Sequence, residues 1–444
     1  MALAREWDEL VAKARTLKGF EDFLRPPRAE ALFPAADGGP VVIVNASRWR
    51  CDALIVTEEG VRLRVLPELT LEHATQWADE YLQTLHAAEL AGHEHQMATA
   101  AADTRPGPAA LRAQARAAGA LMEAEARVDD MLRSLQARLW DTIAAPVLGE
   151  LGLDRVPPGD GGWTRIWWCP TGPLTLLPLH TAGYHVVGAG EARETVMDRV
   201  VSSYTPTLRA LLEARGEDRD EGRAGAAAGI HRTTGAEAAD HGATEAMGDG
   251  MLVVAVEEAA GLPWLHSAAQ ERTAISELLP AARRTLLLDS QATREAVRTQ
   301  LERHRWAHFS CHGDQNLADP SRGGLLLYDG MLTIADISAR RFRGDFAGLS
   351  ACKTAVGGTG LLDEVVTLAA ALHHTGFRHV VAALWSVDDA TAAQVFSALY
   401  GRIVTDGTLR PEEAAHALHH VVRAVRDAAP DEPRLWTPFT HTGP

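Results

Sequence analysis

The alternation of apolar and polar positions predicts a mixed N-terminal part. Residues 5–24 have the pattern of a short helix, which Pro26-Pro27 would end. Three β-rich runs predict a small antiparallel meander: 41–44, 53–56 and 61–66. Residues 70–151 then show an alanine-rich helical periodicity, broken near Pro106-Gly107-Pro108. A further short strand is predicted at 165–169.

Strands and helices alternate in the C-terminal part. The predicted strands are 251–256, 285–288, 306–310, 346–351 and 379–385, with a hairpin over 325–332. The predicted helices are 267–279, 292–304, 362–375, 388–404 and 411–427. This alternation is typical of a mostly parallel sheet with helices on both faces. Because ligands bind beyond the carboxyl ends of such strands, the residues after each strand are the first candidates for a functional site.

Residues 216–250 interrupt both patterns. The segment is rich in glycine, alanine and acidic residues and has almost no large apolar side chain. It cannot bury enough surface to offset the entropy lost on ordering, so we expect a flexible linker. The linker would separate an N-terminal region, 1–215, from a C-terminal domain, 251–444.

Composition and charge narrow the class of protein. Of 444 residues, 46% are hydrophobic and 23% are charged, which is ordinary for a soluble globular protein. The formal net charge is −16 without a basic run, so direct nucleic-acid binding is not expected. Four scattered cysteines do not form a disulfide framework, and neither a secretory signal nor a membrane-spanning stretch is evident. We expect a cytoplasmic protein that binds no nucleic acid and no membrane.

Two predicted strands lead into reactive side chains. The strand at 306–310 continues into Cys311-His312-Gly313, and the strand at 346–351 into Cys352. If these strands are parallel neighbours, His312 and Cys352 meet at one edge of the sheet. An imidazole beside a thiol lowers its pKa and can later protonate a leaving amine. The backbone N–H groups of Gly313 and Cys352 are candidates for an oxyanion hole.

Two alternatives stay open on the residues alone. A cysteine at a strand end is commonly a small buried core residue, and a loop histidine is commonly solvated. The set His308, Cys311, His312 and Cys352 also contains zinc-ligand types. Strand geometry disfavours zinc, because His308 and His312 share a face while Cys311 points the other way. We therefore expect no metal and no cofactor.

Several strings in this part of the chain are distinctive in combination. They are His308-Phe309-Ser310-Cys311-His312-Gly313, Leu349-Ser350-Ala351-Cys352-Lys353-Thr354, Gly357-Gly358-Thr359-Gly360, Asp363-Glu364, Trp385-Ser386-Val387-Asp388-Asp389 and Trp436-Thr437-Pro438-Phe439. With them, residues 306–400 resemble the CHAT family of caspase-like cysteine peptidases, relatives of separases and caspases. Upstream, 169–179 resembles the string that opens the family domain.

The resemblance implies an α/β fold with a caspase-like, mostly parallel sheet sandwiched by helices. It also implies a degenerate, non-catalytic caspase-like half in the N-terminal region, preceded by the β-meander and helices. His312 and Cys352 match the family's catalytic dyad. The implied activity is that of a cysteine endopeptidase cleaving a protein substrate. Bacterial members often serve in defence or regulated cell death and are activated by a separately encoded protein partner.

Asp388 and Asp389 are candidates for substrate binding. They lie just past the strand at 379–385, which is expected to neighbour the nucleophile strand. A carboxylate there would bind an Arg or Lys side chain of the substrate. The alternative is that one of the two acids caps the helix, since Ser386 and Asp389 have the spacing of a capping box. We favour Asp388 for the pocket, because it is the acid nearer the strand. His373-His374 and His419-His420 are expected on helix surfaces.

Two other functions are compatible with the sequence. One is a catalytically silent pseudo-peptidase that binds protein partners through the same fold. The other is a small-molecule hydrolase of flavodoxin-like fold. No Gly-rich phosphate loop follows the strand at 251–256 to support the second alternative.

Overall fold

The computed structural model describes residues 2–17, 20, 23–25, 28–159, 162–186, 188, 193–221, 248–258, 264–314, 319–351 and 367–444. The helices are α1 (Ala2–Ala14), α2 (Leu71–Thr104), α3 (Pro108–Leu139), α4 (Ala145–Glu150), α5 (Leu208–Glu221), α6 (His266–Leu278), α7 (Arg294–Leu301), α8 (Ile334–Ser338), α9 (Leu368–Thr375), α10 (Asp389–Ile403) and α11 (Ala414–Ala428). The strands are β1 (Val41–Asn45), β2 (Asp52–Thr57), β3 (Gly60–Val65), β4 (Thr164–Pro170), β5 (Gly183–Tyr184), β6 (Glu194–Thr195), β7 (Val200–Tyr204), β8 (Gly248–Ala255), β9 (Arg284–Leu288), β10 (His304–Ser310), β11 (Gly313–Asp314), β12 (Gly324–Leu327), β13 (Gly330–Thr333), β14 (Phe346–Ser350), β15 (His379–Ala383), β16 (Val404–Thr405), β17 (Thr408–Leu409) and β18 (Phe439–Thr442).

Within the described residues, eleven strands form one sheet in the order β3-β2-β1-β4-β7-β18-β15-β14-β10-β8-β9. The strands β9, β8, β10, β14 and β15 are mutually parallel. The strands β1, β4, β7 and β18 are parallel to one another, and β18 pairs antiparallel with β15. The predicted meander is confirmed as β1 to β3. The sequence pattern did not predict β18, which joins the two groups of parallel strands.

Helices cover both faces of the C-terminal strands. Successive strand residues point to opposite sides, so each face presents its own set of side chains to a helical layer. One face packs Ala307, Phe309 and Leu349 against α7, α8 and α9. The other packs Trp306 and Phe346 against α6, α10 and α11. The prediction of a sheet between two helical layers is therefore confirmed.

The long helices α2 and α3 cover the N-terminal strands. The side chain of Thr70 accepts a hydrogen bond at the start of α2, and Gly107 precedes α3. Tyr81 of α2 makes an edge contact with Trp385, with ring centroids 5.7 Å apart. The hydroxyl of Ser386 donates to Glu89 at 3.0 Å. The helix α2 therefore lies against the loop that follows β15.

Two predicted boundaries are wrong. The first helix ends at Ala14 rather than at residue 24. It is poorly supported by packing, since Trp7 is 59% and Leu10 is 56% exposed. Secondary structure occupies both ends of the predicted linker 216–250, since α5 continues to Glu221 and β8 begins at Gly248. Residues 222–247 lie outside the described residues.

None of the described helices has both the length and the apolarity that crossing a membrane requires.

A buried ion pair joins the N-terminal part of the chain to α11. The carboxylate of Asp198 accepts two hydrogen bonds from the Arg426 guanidinium, at 2.8 and 2.9 Å. The Arg426 side chain is fully buried. Burial alone would raise the pKa of Asp198, but the hydrogen bonds and charge of Arg426 outweigh it and lower that pKa to about 2.

Replacing Asp198 by asparagine is expected to lower the free energy of unfolding by ~2–3 kcal/mol, because the buried Arg426 loses its two-fold carboxylate partner and keeps only the exposed carboxylate of Asp427. Urea denaturation followed by circular dichroism measures the change. The control is Glu302→Gln, which removes the exposed partner of Arg340 and should change stability by less than ~1 kcal/mol. The prediction would be contradicted if Asp198→Asn lowered the free energy of unfolding no more than Glu302→Gln does.

Candidate active site

The two strands that precede the reactive residues are direct neighbours. β10 pairs parallel with β14, and Ser310 is the register partner of Ser350. His312 and Cys352 each follow their strand's paired serine by two positions. The predicted pairing of these strands is therefore confirmed. Cys352 itself lies outside the described residues, as do Asp363 and Glu364, and the described pairing ends at Ser310 and Ser350.

His312 is half-buried and held by its backbone. Its carbonyl oxygen accepts a hydrogen bond from the N–H of Leu326 in β12, at 2.8 Å. Gly313 follows as the register partner of Leu325. Bonded and non-bonded pairs alternate along an antiparallel ladder, so the N–H of Gly313 points away from β12. The N–H of Gly313 is therefore not used by the ladder between β11 and β12.

A buried polar network lies near the carboxyl ends of β10 and β14. Glu271 of α6 accepts a hydrogen bond from Nε2 of His308 at 2.8 Å and another from the hydroxyl of Ser350 at 2.6 Å. The side chains of Glu271 and His308 are both 0% exposed. The Glu271 carboxylate therefore bonds to a side chain of β10 and to a side chain of β14, the two strands that lead towards His312 and Cys352.

Tyr400 of α10 completes the network. Its hydroxyl lies 2.9 Å from Nδ1 of His308. Burial raises the pKa of Tyr400 well above its ordinary value, and the charge of Glu271 raises it further. The phenol therefore stays protonated, and the ring of His308 bonds to the Tyr400 hydroxyl through Nδ1 and to Glu271 through Nε2.

Gly348 makes room for this contact. It is the register partner of His308 in β14. A Cβ atom at position 348 would lie 2.5 Å from the Tyr400 hydroxyl and 3.2 Å from Nδ1 of His308. A side chain there would displace the phenol, so glycine at this position is a condition for the hydrogen bond.

The sequence analysis missed Glu271, although a signal was present. On α6, Ala268, Glu271 and Ile275 are all buried and follow the spacing of one helical stripe. A lone carboxylate in the apolar stripe of a helix that covers a sheet requires a buried partner.

The sequence profile of the CHAT domain family matches residues 133–444. The chain belongs to the CHAT family. No curated protein sequence matches the chain.

Solved structures with a similar fold include separase from Saccharomyces cerevisiae, in two crystal structures of its complex with securin. The structure at 3.0 Å resolution has a TM-score of 0.54 and 9% sequence identity, over 93% of this chain and 30% of separase. The structure at 2.6 Å gives a TM-score of 0.53 and 9% identity, over 94% and 31% of the two chains. This CHAT protein therefore has the caspase-like fold of separase and spans about three-tenths of that chain's length.

A weaker likeness is to the complex of the pro- and mature domains of RgpB from Porphyromonas gingivalis. The TM-score is 0.41 with 10% identity, over 68% of this chain and 69% of the RgpB chain. This score is too low to establish a shared fold.

The N-cap of α10 in this CHAT protein is a different residue from the predicted one. Asp388 is the N-cap of α10, and its Oδ2 accepts hydrogen bonds from the N–H and the hydroxyl of Thr391, at 3.1 and 3.2 Å. The predicted capping box of Ser386 and Asp389 is therefore wrong. Ser386 bonds to Glu89 instead, because α2 packs against this loop. Asp388 is exposed and Asp389 half-buried.

The described cysteines of this CHAT protein are core residues. Cys311 is 1% exposed and packs with Phe309 in the apolar layer on the side opposite His308. Cys51 is 2% exposed. Burial raises the pKa of Cys169 to about 12, which makes it a poor nucleophile. Among the residues described, no group of three or more His, Cys, Asp or Glu side chains has the arrangement of a metal site.

The expectation that both histidine pairs lie on helix surfaces is wrong for two of the four residues. His373 is 5% and His419 is 8% exposed, whereas His374 is exposed. Burial lowers the pKa of His373 to about 4 and that of His419 to about 3. Each pair consists of one inward and one outward residue, since adjacent helical positions point in different directions.

Proposed function

We propose that this protein is a cysteine endopeptidase in which Cys352 is the nucleophile and His312 its acid–base partner. The observation that carries the proposal is the register of β10 and β14. Ser310 pairs with Ser350 on adjacent parallel strands, and each reactive residue follows its paired serine by two positions in the sequence, which supports the proposal. Membership of the CHAT family supports the same assignment.

The proposed reaction has two steps. The Cys352 thiolate attacks the scissile carbonyl carbon, and the N–H groups of Gly313 and Cys352 bind the resulting oxyanion. The C–N bond then breaks, and His312 protonates the departing amine. In the second step His312 takes a proton from water, which attacks the thioester and releases the acid product and the thiolate.

The experiment that tests the function is peptide-library cleavage by the purified protein, with and without candidate partner proteins encoded beside it. Cleavage at defined positions supports an endopeptidase. Binding of a partner without any cleavage, under conditions in which Cys352 is reduced, would favour the pseudo-peptidase. The substrate is proposed to be a protein and the activator a separately encoded protein. A role in bacterial defence or regulated cell death rests on the family resemblance and stays a prediction.

We also propose that Asp388 or Asp389 selects a basic residue on the amino side of the cleaved bond. Asp388→Asn is a clean test, because asparagine caps helices as well as aspartate does and only the charge is lost. We expect the preference for Arg or Lys to fall roughly 30-fold or more, as for a desolvated charge contact of ~2–5 kcal/mol.

Asp389→Asn in the same library assigns the role to one of the two acids. The helix content of both variants, measured by circular dichroism, controls for loss of the cap. A wild-type protein indifferent to Arg and Lys, or two variants with unchanged profiles, would rule out both acids.

A further inference from the structure

We propose that Glu271 is a positioning residue that holds the His312 strand and the Cys352 strand in the relative placement the proposed catalytic pair needs. The inference rests on the proposed function. The two carboxylate oxygens of Glu271 bond to His308, four positions before His312, and to Ser350, two positions before Cys352.

Burying the Glu271 carboxylate costs free energy, and this cost argues for a role beyond folding. A buried carboxylate loses its hydration and is tolerated only when hydrogen bonds satisfy it. Here the surroundings are otherwise apolar, with Trp306, Phe346 and Phe396 in the same cluster. The backbone ladder already pairs β10 with β14 along their length. The carboxylate adds a side-chain link at the end of the ladder, where Ser350 is the last residue of β14 and Ser310 the last residue of β10.

The network fixes the ring of His308 from both sides. Tyr400 occupies Nδ1 and Glu271 occupies Nε2. Gly348 provides the space for the phenol. The ring therefore has one orientation, and a shift of α6 or of either strand changes the distance between the two strand ends. Misplacement of reacting groups by about 1 Å can cost roughly 100-fold in rate.

The test follows the alkylation of Cys352 by iodoacetamide, measured by peptide mass spectrometry between pH 5 and pH 9. This readout requires no peptide substrate. In the wild type, the imidazole should make Cys352 react faster at pH 6.5 than a free thiol does, since a free thiol has a pKa near ~8.5. His312→Ala should remove this advantage.

Ser350→Ala cuts the link to the nucleophile strand and should slow alkylation at pH 6.5 roughly ten-fold, with little change at pH 9, where the thiol ionises unaided. Ser350→Thr keeps the hydroxyl and should restore the rate. The control is Ser203→Ala on β7, which removes the hydroxyl of a fully buried, hydrogen-bonded serine three strands away and should leave the pH profile unchanged.

Glu271→Gln and Glu271→Ala separate geometry from charge. Glutamine has the same length and can bridge both strands, so it should keep at least about a third of the wild-type rate, whereas alanine should lose as much as Ser350→Ala. If neither folds, Ser350→Ala decides the question. An unchanged profile for Ser350→Ala, or equal loss for both Glu271 variants, would overturn the positioning role. An unchanged profile for His312→Ala would instead overturn the proposed function.

Discussion

Replacing Cys352 by alanine is expected to abolish peptide cleavage and leave the stability of the protein unchanged. Loss of a nucleophile removes the covalent route altogether, and such changes lower kcat by roughly 10⁴-fold or more. The change is from one small side chain to another, so we expect the melting temperature to stay within a few degrees. Steady-state cleavage of a library-derived peptide measures the first effect and thermal unfolding the second.

His312→Ala should lose nearly as much activity as Cys352→Ala, and the double variant should lose no more than either, because the pair acts as a unit. Cys311→Ala is the matched control one residue away. Cys311 is buried in the apolar layer opposite His308, so this variant should keep most of its activity. Cleavage by Cys352→Ala at the wild-type rate would contradict the assignment.

Mild acid is expected to destabilise the protein strongly. Burial lowers the pKa of His180 and His373 to about 4 and that of His185 and His419 to about 3. The unfolded chain binds protons at these residues near pH 6.5, before the folded protein does, so stability falls as the pH drops from about 6.5 towards about 4. Below that range the folded histidines also bind protons and the loss levels off.

The expected size follows from the same linkage. One pH unit below its unfolded pKa, each histidine kept neutral by folding costs about 1.4 kcal/mol, so the four together cost roughly 5–6 kcal/mol between pH 7.5 and pH 5.5. This is a large part of an ordinary unfolding free energy, which is ~5–15 kcal/mol. Urea denaturation at a series of pH values measures it.

Two adjacent histidines provide the control for the acid effect. His373 is buried, with Nδ1 3.1 Å from the carbonyl oxygen of Phe377, while His374 is exposed. His373→Gln should reduce the loss of stability at pH 5.5 by about 1.4 kcal/mol, and His374→Gln should leave it unchanged. Equal effects of the two variants, or a flat pH dependence in the wild type, would contradict the assignment of the acid sensitivity to buried histidines.

The pairing that carries the candidate site could be predicted from sequence because it depends on local patterns. Strand and helix periods alternate clearly after residue 250, and a strand–helix–strand order favours parallel neighbours. The strings at 308–313 and 349–354 then indicated which strand ends matter. What the sequence does not contain is the register, which depends on how Ser310 and Ser350 align across the ladder.

The missed features depend on contacts between distant residues. The strand β18 has the polar sequence Phe-Thr-His-Thr, yet all four residues are buried between β7 and β15. Its burial is set by its neighbours, so no periodicity in those four residues predicts it. Likewise, the cap of α10 went to Asp388 because α2 supplies Glu89 as a partner for Ser386. Such long-range partners override local capping signals.

The most direct test of the central claim is to map where a peptidyl chloromethylketone with a basic residue next to the reactive group attaches to the native protein. We expect one adduct per chain, on Cys352, formed at least roughly ten-fold more slowly in His312→Ala. Attachment to Cys311, or an adduct on Cys352 that forms equally fast without His312, would contradict it.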